Sequence, residues 1–443
     1  MNRPARLSAV AALAAAALWL APAAGAVSPP VVDPARLPGP ATPAPPWPTV
    51  RHEPCVATGG LPAAAAPGTQ LADLGLDRVW PLTRGAGQTV AIIDTGVARH
   101  RLLPRLIGGG DYVTTGDGTA DCDGHGTLVA GIVGAAPEDG FGGIAPEATL
   151  IAIRQSSVRF RAADAARGTP MSGVGDVETL ARAVRTAADM GATVINISTV
   201  ACLPAGDGMD DAALGAALAY AVDVKNAVVV AAAGNVGPRC GQNPLSGAGW
   251  DELATVTSPG WYDDHVLTVG SVAPDGSPSA FTLAGPWVDV AAPGEGVVSL
   301  DPGGEGLIDT LPGSGEPAPI AGTSYAAPVV AGIVALVRAR RPELTARQVM
   351  RLIEDTARRP PSGWNPVVGH GIVDAVHAVT GGRPDTPAVT AAPLVVAPPA
   401  APPRDGRTAL RIAAVCVGAA LVVAVTARRP VASRRGRDGV ALD

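Results

Sequence analysis

Three short motifs in the 443-residue chain carry side chains that could act together in nucleophilic catalysis. Asp94 begins the sequence DTG, His125 lies between two glycines in DGHGT, and Ser324 lies in GTSYAAP. A serine hydroxyl is a weak nucleophile until a neighbouring base takes its proton. A neutral histidine can take that proton near pH 7, while a buried carboxylate fixes the histidine tautomer and stabilises the imidazolium. These residue types predict a hydrolase with Asp94, His125 and Ser324 as its catalytic triad.

Each motif also has an interpretation that requires no triad. The sequence DTG occurs in aspartic proteases, but those enzymes need a second carboxylate to share a proton, and the chain has no second DTG or DSG. His125 alone could be a surface histidine, and Ser324 alone could be a helix N-cap. The small residues around both, and the chemical fit of His125 with Asp94, favour the catalytic interpretation. The chain has neither the G-x-S-x-G elbow of other serine hydrolases nor the H-E-x-x-H motif of zinc proteases.

Asn235 is a fourth candidate, because it follows an apolar run that ends in AAAG. An amide side chain can donate a hydrogen bond to the oxyanion that forms when a serine attacks a carbonyl group. The positive end of the helix that begins near Ser324 would favour the same negative charge. The alternative, an asparagine chosen for a left-handed turn, stays open at this point.

The apolar runs that lead into these motifs predict the elements that position them. Four β-rich runs alternate with helix-like segments, at 89–93, 149–153, 193–197 and 227–231 for the strands and at 176–190 and 211–223 among the helices. Continuous apolar strands that alternate with helices indicate an α/β fold, with a mainly parallel sheet covered by helices on both faces. Functional sites in such folds lie at the carboxyl ends of the strands. Ser324 would begin a long apolar helix at the domain centre.

The two ends of the chain differ from this central region. Arg3 and Arg6 precede a short apolar stretch and the small residues at 24–26, which favours a signal peptide over an uncleaved anchor helix. A second apolar stretch between Arg411 and Arg428 predicts a transmembrane helix, with a buried core helix as the alternative. The arginine-rich tail then predicts a cytoplasmic C-terminus and an extracytoplasmic body. The expected organisation is a signal peptide (1–26), a proline-rich N-terminal extension (27–70), a catalytic domain (71–381), a proline-rich linker (382–408), a transmembrane helix (409–427) and a basic tail (428–443).

Charge and motif content narrow the possible ligands. The formal net charge is −6 and the central region has no basic stripe, so no nucleic-acid partner is predicted. No zinc-ligand spacing occurs, and no metal or other cofactor is predicted. The neighbouring carboxylates Asp121 and Asp123 leave calcium binding open.

Four of the five cysteines lie outside the predicted transmembrane helix. An oxidising compartment allows them two disulfides in three possible pairings. Cys122 lies close to His125, so a bridge to Cys55 would fasten the extension beside the catalytic cleft. Cys202 and Cys240 follow two strands that we expect to be neighbours. We therefore favour these two pairs, and expect an extension that stays attached and wraps the domain without blocking the site.

The motifs together resemble the subtilase family of serine proteases. The segments IIDTG, DGHGTLVAGI, AAAGN and GTSYAAPVVAG occur in family order, and the resemblance covers residues 71–379. The order Asp, His, Ser along the chain is that of subtilisin, and differs from chymotrypsin and the α/β-hydrolases. The resemblance implies a subtilisin-like fold, serine endopeptidase activity and an oxyanion-binding role for Asn235.

A narrower resemblance is to the mycosins, the membrane-anchored subtilases of type VII secretion systems. It rests on the proline-rich extension, the paired cysteines, VINIS before Ala201, the sequence WYDD at 261–264 and the C-terminal anchor. It implies limited cleavage of secreted proteins at the cell membrane, with protein substrates and membrane components of a type VII secretion system as partners. The alternative is a mainly structural role in stabilising the secretion complex. One departure is the segment 155–175, which is short for the internal loop that mycosins often carry there.

Overall fold

The structure is a computed structural model that describes residues 27–60, 70–164, 173–245, 249–312, 316–361 and 363–382. Its strands are β1 (Thr49–Arg51), β2 (Thr89–Asp94), β3 (Leu106–Asp111), β4 (Thr149–Arg154), β5 (Phe160–Ala162), β6 (Val194–Ile197), β7 (Ala201–Pro204), β8 (Val228–Ala232), β9 (Thr255–Ser258), β10 (Leu267–Val272), β11 (Val290–Pro293), β12 (Ser299–Leu300), β13 (Leu307–Ile308), β14 (Thr310–Leu311) and β15 (Ala318–Pro319). Its helices are α1 (Leu76–Val79), α2 (His125–Gly134), α3 (Val177–Asp189), α4 (Ala212–Ala219), α5 (Thr323–Arg340), α6 (Ala346–Thr356) and α7 (Ala375–Thr380).

Seven strands form one parallel sheet in the order β11-β10-β8-β6-β2-β4-β3. The predicted α/β fold class is confirmed, and the four predicted strands match β2, β4, β6 and β8 to within one residue at each end. Strand β2 lies between β4 and β6. Strands β3 and β4 therefore lie on one side of β2, and β6 and β8 lie on the other. The carboxyl end of such a strand borders the crevice in which doubly wound sheets bind ligands.

The sheet is covered by helices whose sequences match their burial. Helix α5 is apolar nearly all round, and its residues from Thr323 to Arg338 are buried except Ser324, which is partly exposed. It packs against α2 and crosses β6, β8, β10 and β11. Helix α3 has an apolar stripe and a charged face, begins with an Asp176 capping box, and packs with α4. The central helix α5 is therefore held on all sides, which fixes the residues at its first turn.

The N-terminal extension corrects one expectation. Its sequence has no helical or strand period and predicts an extended segment, yet it contains a 3₁₀ turn at Pro34–Arg36 and the strand β1. Strand β1 pairs antiparallel with β5, so that Val50 lies opposite Arg161. The pairing was invisible in the local pattern, because three residues are too few for a strand period and the partner strand is distant in the chain.

Two disulfides join the described cysteines in the favoured pairs, Cys55–Cys122 and Cys202–Cys240. The Cα atoms are 4.4 Å apart in the first pair and 5.5 Å apart in the second. Strands β6 and β8 are neighbours, as expected from the second pairing. The first bridge fixes the extension to the segment just before His125.

The predicted signal peptide, most of the linker, the transmembrane helix and the basic tail lie outside the described residues. Within the described ranges, no helix has the length and apolar character needed to cross a bilayer.

Candidate active site

The side chains of Asp94 and His125 meet at the carboxyl end of β2. The distance between His125 Nδ1 and Asp94 Oδ1 is 2.7 Å, and Asp94 is fully buried. The contact depends on Gly126, because a Cβ atom there would overlap the Gly96 carbonyl oxygen. A glycine at this position lets α2 approach the end of β2 closely enough for the two side chains to bond.

The surroundings of His125 favour its protonated form. Burial by itself would lower the pKa of His125, because it removes water from the imidazolium. The charge and the hydrogen bond of Asp94 act in the opposite direction, with further contributions from Asp121 and Asp123, and the pKa rises above its usual value. A quarter of the side chain is still exposed, so the ring is reachable from solvent. The arrangement suits a base that must become an imidazolium during the reaction.

Ser324 is the second residue of α5, and the N-cap of that helix is Gly322. The interpretation of Ser324 as an N-cap is therefore wrong. Pro328 lies four residues later and has no N–H, so it cannot donate to the Ser324 carbonyl. The Ser198 hydroxyl donates to that carbonyl instead, at 2.8 Å, and receives a hydrogen bond from Asn196 Nδ2 at 2.9 Å. The end of β6 thus fixes the backbone of Ser324.

Asn235 is held against the start of the same helix. Its Oδ1 accepts hydrogen bonds from the Thr323 amide at 3.0 Å and from Thr323 Oγ1 at 3.1 Å. Its Nδ2 lies 3.4 Å from the position that a Cβ atom on Gly322 would occupy. The positive φ of this turn belongs to Gly234, at 101°, and not to Asn235. The left-handed-turn interpretation of Asn235 is therefore wrong, and its amide donor lies beside the first turn of α5.

Comparison with known proteins agrees with this geometry. Residues 85–371 match the sequence model of the subtilase family. Mycosin-4 of Mycobacterium tuberculosis is 56% identical over 460 residues, which cover 100% of this chain and 99% of that protein. The solved MycP3 protease from the type VII (ESX-3) secretion system has a TM-score of 0.74 and 48% identity over 80% of this chain and 100% of its own. A chain of an intact ESX-5 inner membrane complex has a TM-score of 0.75 and 41% identity over 90% of this chain and 99% of its own.

The chain belongs to the mycosins, within the subtilase family of serine proteases. Two of its four candidate residues follow strands: Asp94 ends β2, and Asn235 lies after β8. The other two begin helices: His125 is at the start of α2, and Ser324 is at the start of α5. Each is at the carboxyl edge of the sheet or on a helix that begins there. The mycosin fold thus gathers at one edge the residues that the sequence motifs singled out.

Asp121 and Asp123, the carboxylates for which the sequence leaves calcium binding open, accept hydrogen bonds from protein groups in this mycosin. Asp123 accepts hydrogen bonds from the Ser157 hydroxyl and from the Val158 amide at 2.9 Å. Asp121 accepts three hydrogen bonds from the residues around His125 and one from Thr95 at the end of β2. Among the residues described by the structure, no three His, Cys, Asp or Glu side chains gather as metal ligands.

The sequence motifs did not identify Tyr325 as part of the mycosin site. Its ring lies 5.2 Å from the His125 ring, tilted by 44°, and the residue is buried. Tyr325 follows Ser324 directly, so this contact ties the first turn of α5 to the imidazole. An aromatic residue after the serine was visible in the sequence, but nothing local indicated its partner.

Proposed function

We propose that this mycosin is an endopeptidase in which Asp94, His125 and Ser324 are the catalytic triad. Ser324 Oγ attacks the peptide carbonyl carbon and gives its proton to His125, while Asp94 holds the imidazole through Nδ1. Asn235 Nδ2 and the amides at the start of α5 stabilise the oxyanion. His125 returns the proton to the leaving amine, and water then hydrolyses the acyl-enzyme.

The observation that carries this proposal is the 2.7 Å contact between His125 Nδ1 and the buried Asp94 carboxylate. A buried carboxylate bonded to Nδ1 leaves Nε2 as the basic nitrogen for a serine proton. The ring contact between Tyr325 and His125 supports a position of Ser324 close to the imidazole, because Ser324 directly precedes Tyr325.

We also propose the cellular arrangement that the terminal sequences predict. The signal peptide (1–26) is removed, residues 71–381 form the catalytic domain outside the cytoplasm, and the helix at 409–427 anchors it. The arginines at 428–437 keep the tail inside. The extension at 27–70 stays attached through Cys55, the linker at 382–408 connects domain and anchor, and no cofactor is needed.

The similarity to a chain of an intact ESX-5 inner membrane complex supports a role in type VII secretion. In this proposal the substrates are secreted proteins that undergo limited cleavage, and the partners are membrane components of such a complex. The second candidate is a mainly structural role in stabilising that complex, which the same similarity supports. The two candidates differ in whether secretion depends on Ser324.

The experiment compares the proteins released by cells that carry the wild-type chain, Ser324→Ala or Ser277→Ala. Ser277 is an exposed turn residue and serves as the matched control. Mass spectrometry of the medium should show truncated proteins with the wild type and Ser277→Ala, and the uncleaved forms with Ser324→Ala. Unchanged cleavage in Ser324→Ala contradicts the enzymatic proposal. If Ser324→Ala cells secrete the uncleaved proteins at normal levels, secretion does not depend on cleavage and the structural role is favoured.

A further inference from the structure

The loop that carries His125 is organised around one carboxylate, that of Asp121. Four hydrogen bonds end on its two oxygens: on Oδ1 from Thr95 Oγ1 at 2.9 Å and the Gly124 amide at 2.8 Å, and on Oδ2 from the Thr127 amide at 2.9 Å and Thr127 Oγ1 at 2.7 Å. These donors lie before His125, after His125, and at the end of β2. One side chain therefore ties together the three pieces of backbone that set the position of the imidazole.

Thr95 extends this arrangement to the residue after His125. Its hydroxyl donates to Asp121 and accepts from the Gly126 amide at 3.0 Å. Its own amide donates to Asp94 Oδ1 at 2.7 Å. The backbone on both sides of His125 is thus connected, directly or through one hydroxyl, to the same carboxylate, and the carboxylate partner of the imidazole is connected as well.

Asp121 also acts on His125 through its charge. Loss of water raises the pKa of Asp121 to about 6, a rise that the hydrogen bonds from Thr127 oppose and the charge of Asp94 increases. Asp121 is therefore an anion at neutral pH. The charged groups that act on His125 are Asp94 from β2 and Asp121 and Asp123 from the loop, and all three raise its pKa against the effect of burial.

We infer that Asp121 is a positioning residue, which holds the backbone of His125 so that the imidazole meets Asp94 in the geometry needed to activate Ser324. The inference rests on the proposed roles of those three residues. Each oxygen of Asp121 accepts one backbone amide, so an asparagine would direct its NH₂ group at an N–H whichever way it turned. Asp121→Asn therefore loosens the loop and removes the charge, with almost no change in side-chain volume.

The test uses the full-length chain and a fluorophosphonate probe, which needs no knowledge of the natural substrate. Ser324 Oγ forms a bond to phosphorus, fluoride leaves, and the serine proton goes to His125. The measured quantity is the rate of labelling of Ser324 as a function of pH. Asp121→Asn should label about ten- to a hundredfold more slowly, because small displacements of catalytic groups have effects of this size. The acid limb of its pH profile should also move to lower pH, because one negative charge near His125 is gone.

Two matched controls separate the effects of charge and position. Asp123→Asn removes a charge that acts on His125 but leaves the four bonds of Asp121 intact. It should move the acid limb to lower pH with little loss of rate. Asp117→Asn changes an exposed carboxylate of the same loop that bonds only to Thr119 and Arg99 among the described residues. It should change neither quantity.

Thr95→Val provides a second route if Asp121→Asn does not fold. It removes the hydroxyl bridge to Gly126 while the Asp121 charge remains, so labelling should slow about tenfold with an unchanged acid limb. A wild-type labelling rate in Asp121→Asn overturns the inference and leaves the proposed function intact. If Asp121→Asn does not fold, a wild-type labelling rate in Thr95→Val has the same meaning. Failure of the wild-type chain to label at Ser324 overturns the proposed function, and the inference with it.

Discussion

Glu354 offers a test of how burial acts on charge in this fold, on a part of the molecule away from the serine. Glu354 lies in α6, and Asp263, whose charge acts on it, lies in the turn before β10. Burial raises its pKa to about 7, the charges of Asp355 and Asp263 add to the rise, and Arg351 opposes it. These elements lie at the amino ends of β10 and β11, whereas the candidate active site lies at the carboxyl edge. Glu354→Gln should therefore change stability without changing the labelling rate of Ser324.

The direction follows from proton binding. The folded chain binds a proton at Glu354 more tightly than the unfolded chain, whose glutamate keeps a pKa near 4.5. The ionised group therefore destabilises the fold fully above pH 7, and this effect disappears as the pH falls from 7 towards 4.5. A difference of one pKa unit between the folded and unfolded chain corresponds to about 1.36 kcal/mol. Because about a quarter of the Glu354 side chain is exposed, water weakens the effect, and we expect about 2–3 kcal/mol.

The assay is urea unfolding of wild type and Glu354→Gln at pH 8 and pH 5. At pH 8 the variant should be more stable than the wild type by about 2–3 kcal/mol, and the difference should shrink at pH 5. Groups that do not interact with Glu354 cancel in the comparison, whereas Asp263 and Asp289 repel its ionised form, so the loss of that repulsion is part of the measured difference. Glu343→Gln, at an exposed position before α6, is the control and should show no such difference. An equal free energy of unfolding for wild type and Glu354→Gln at both pH values would show that burial does not raise the pKa of Glu354.

Three further predictions follow from the site and the extension. Asn235→Ala should lower kcat for peptide hydrolysis about 10²–10³-fold, the loss known for the corresponding donor of subtilisin, and an unchanged kcat would exclude it from the oxyanion site. Replacing Cys55 and Cys122 together by serine should lower the free energy of unfolding by about 2–4 kcal/mol in urea titrations, and a change below 1 kcal/mol would contradict a stabilising bridge. N-terminal sequencing of the active enzyme should begin near residue 27; a start near residue 71 would show that the extension is removed.

The sequence predicted the parts of the fold that depend on local pattern. Strands β2 and β8 are apolar runs that end where a polar residue begins a motif, and parallel strands bring such ends to one edge of the sheet. That rule alone predicts that Asp94 and Asn235 lie at the same edge of the sheet. The pairing of Cys202 with Cys240 followed from the same rule, because it needed only the adjacency of β6 and β8.

The remaining features depend on contacts between distant segments, which leave no local period. Strand β1 exists because β5 lies opposite it. Asp121 could be noticed only as an acidic residue near His125, since its four donors are recognisable only once the loop is folded. The replacement of a helical donor by Ser198 at the Ser324 carbonyl likewise needs the end of β6 and the start of α5 in contact. In each case a hydrogen bond or strand pair in the folded chain gives the residue its role.

The proposed mechanism depends on Ser324 as the nucleophile and on His125 as the base that activates it. The most direct measurement is mass spectrometry of the full-length wild-type chain and the His125→Ala variant after reaction with a fluorophosphonate. We expect a single adduct in the wild type, on the peptide that contains Ser324, and a labelling rate in His125→Ala that is lower by orders of magnitude. An adduct on a different serine, or labelling of His125→Ala at the wild-type rate, would contradict it.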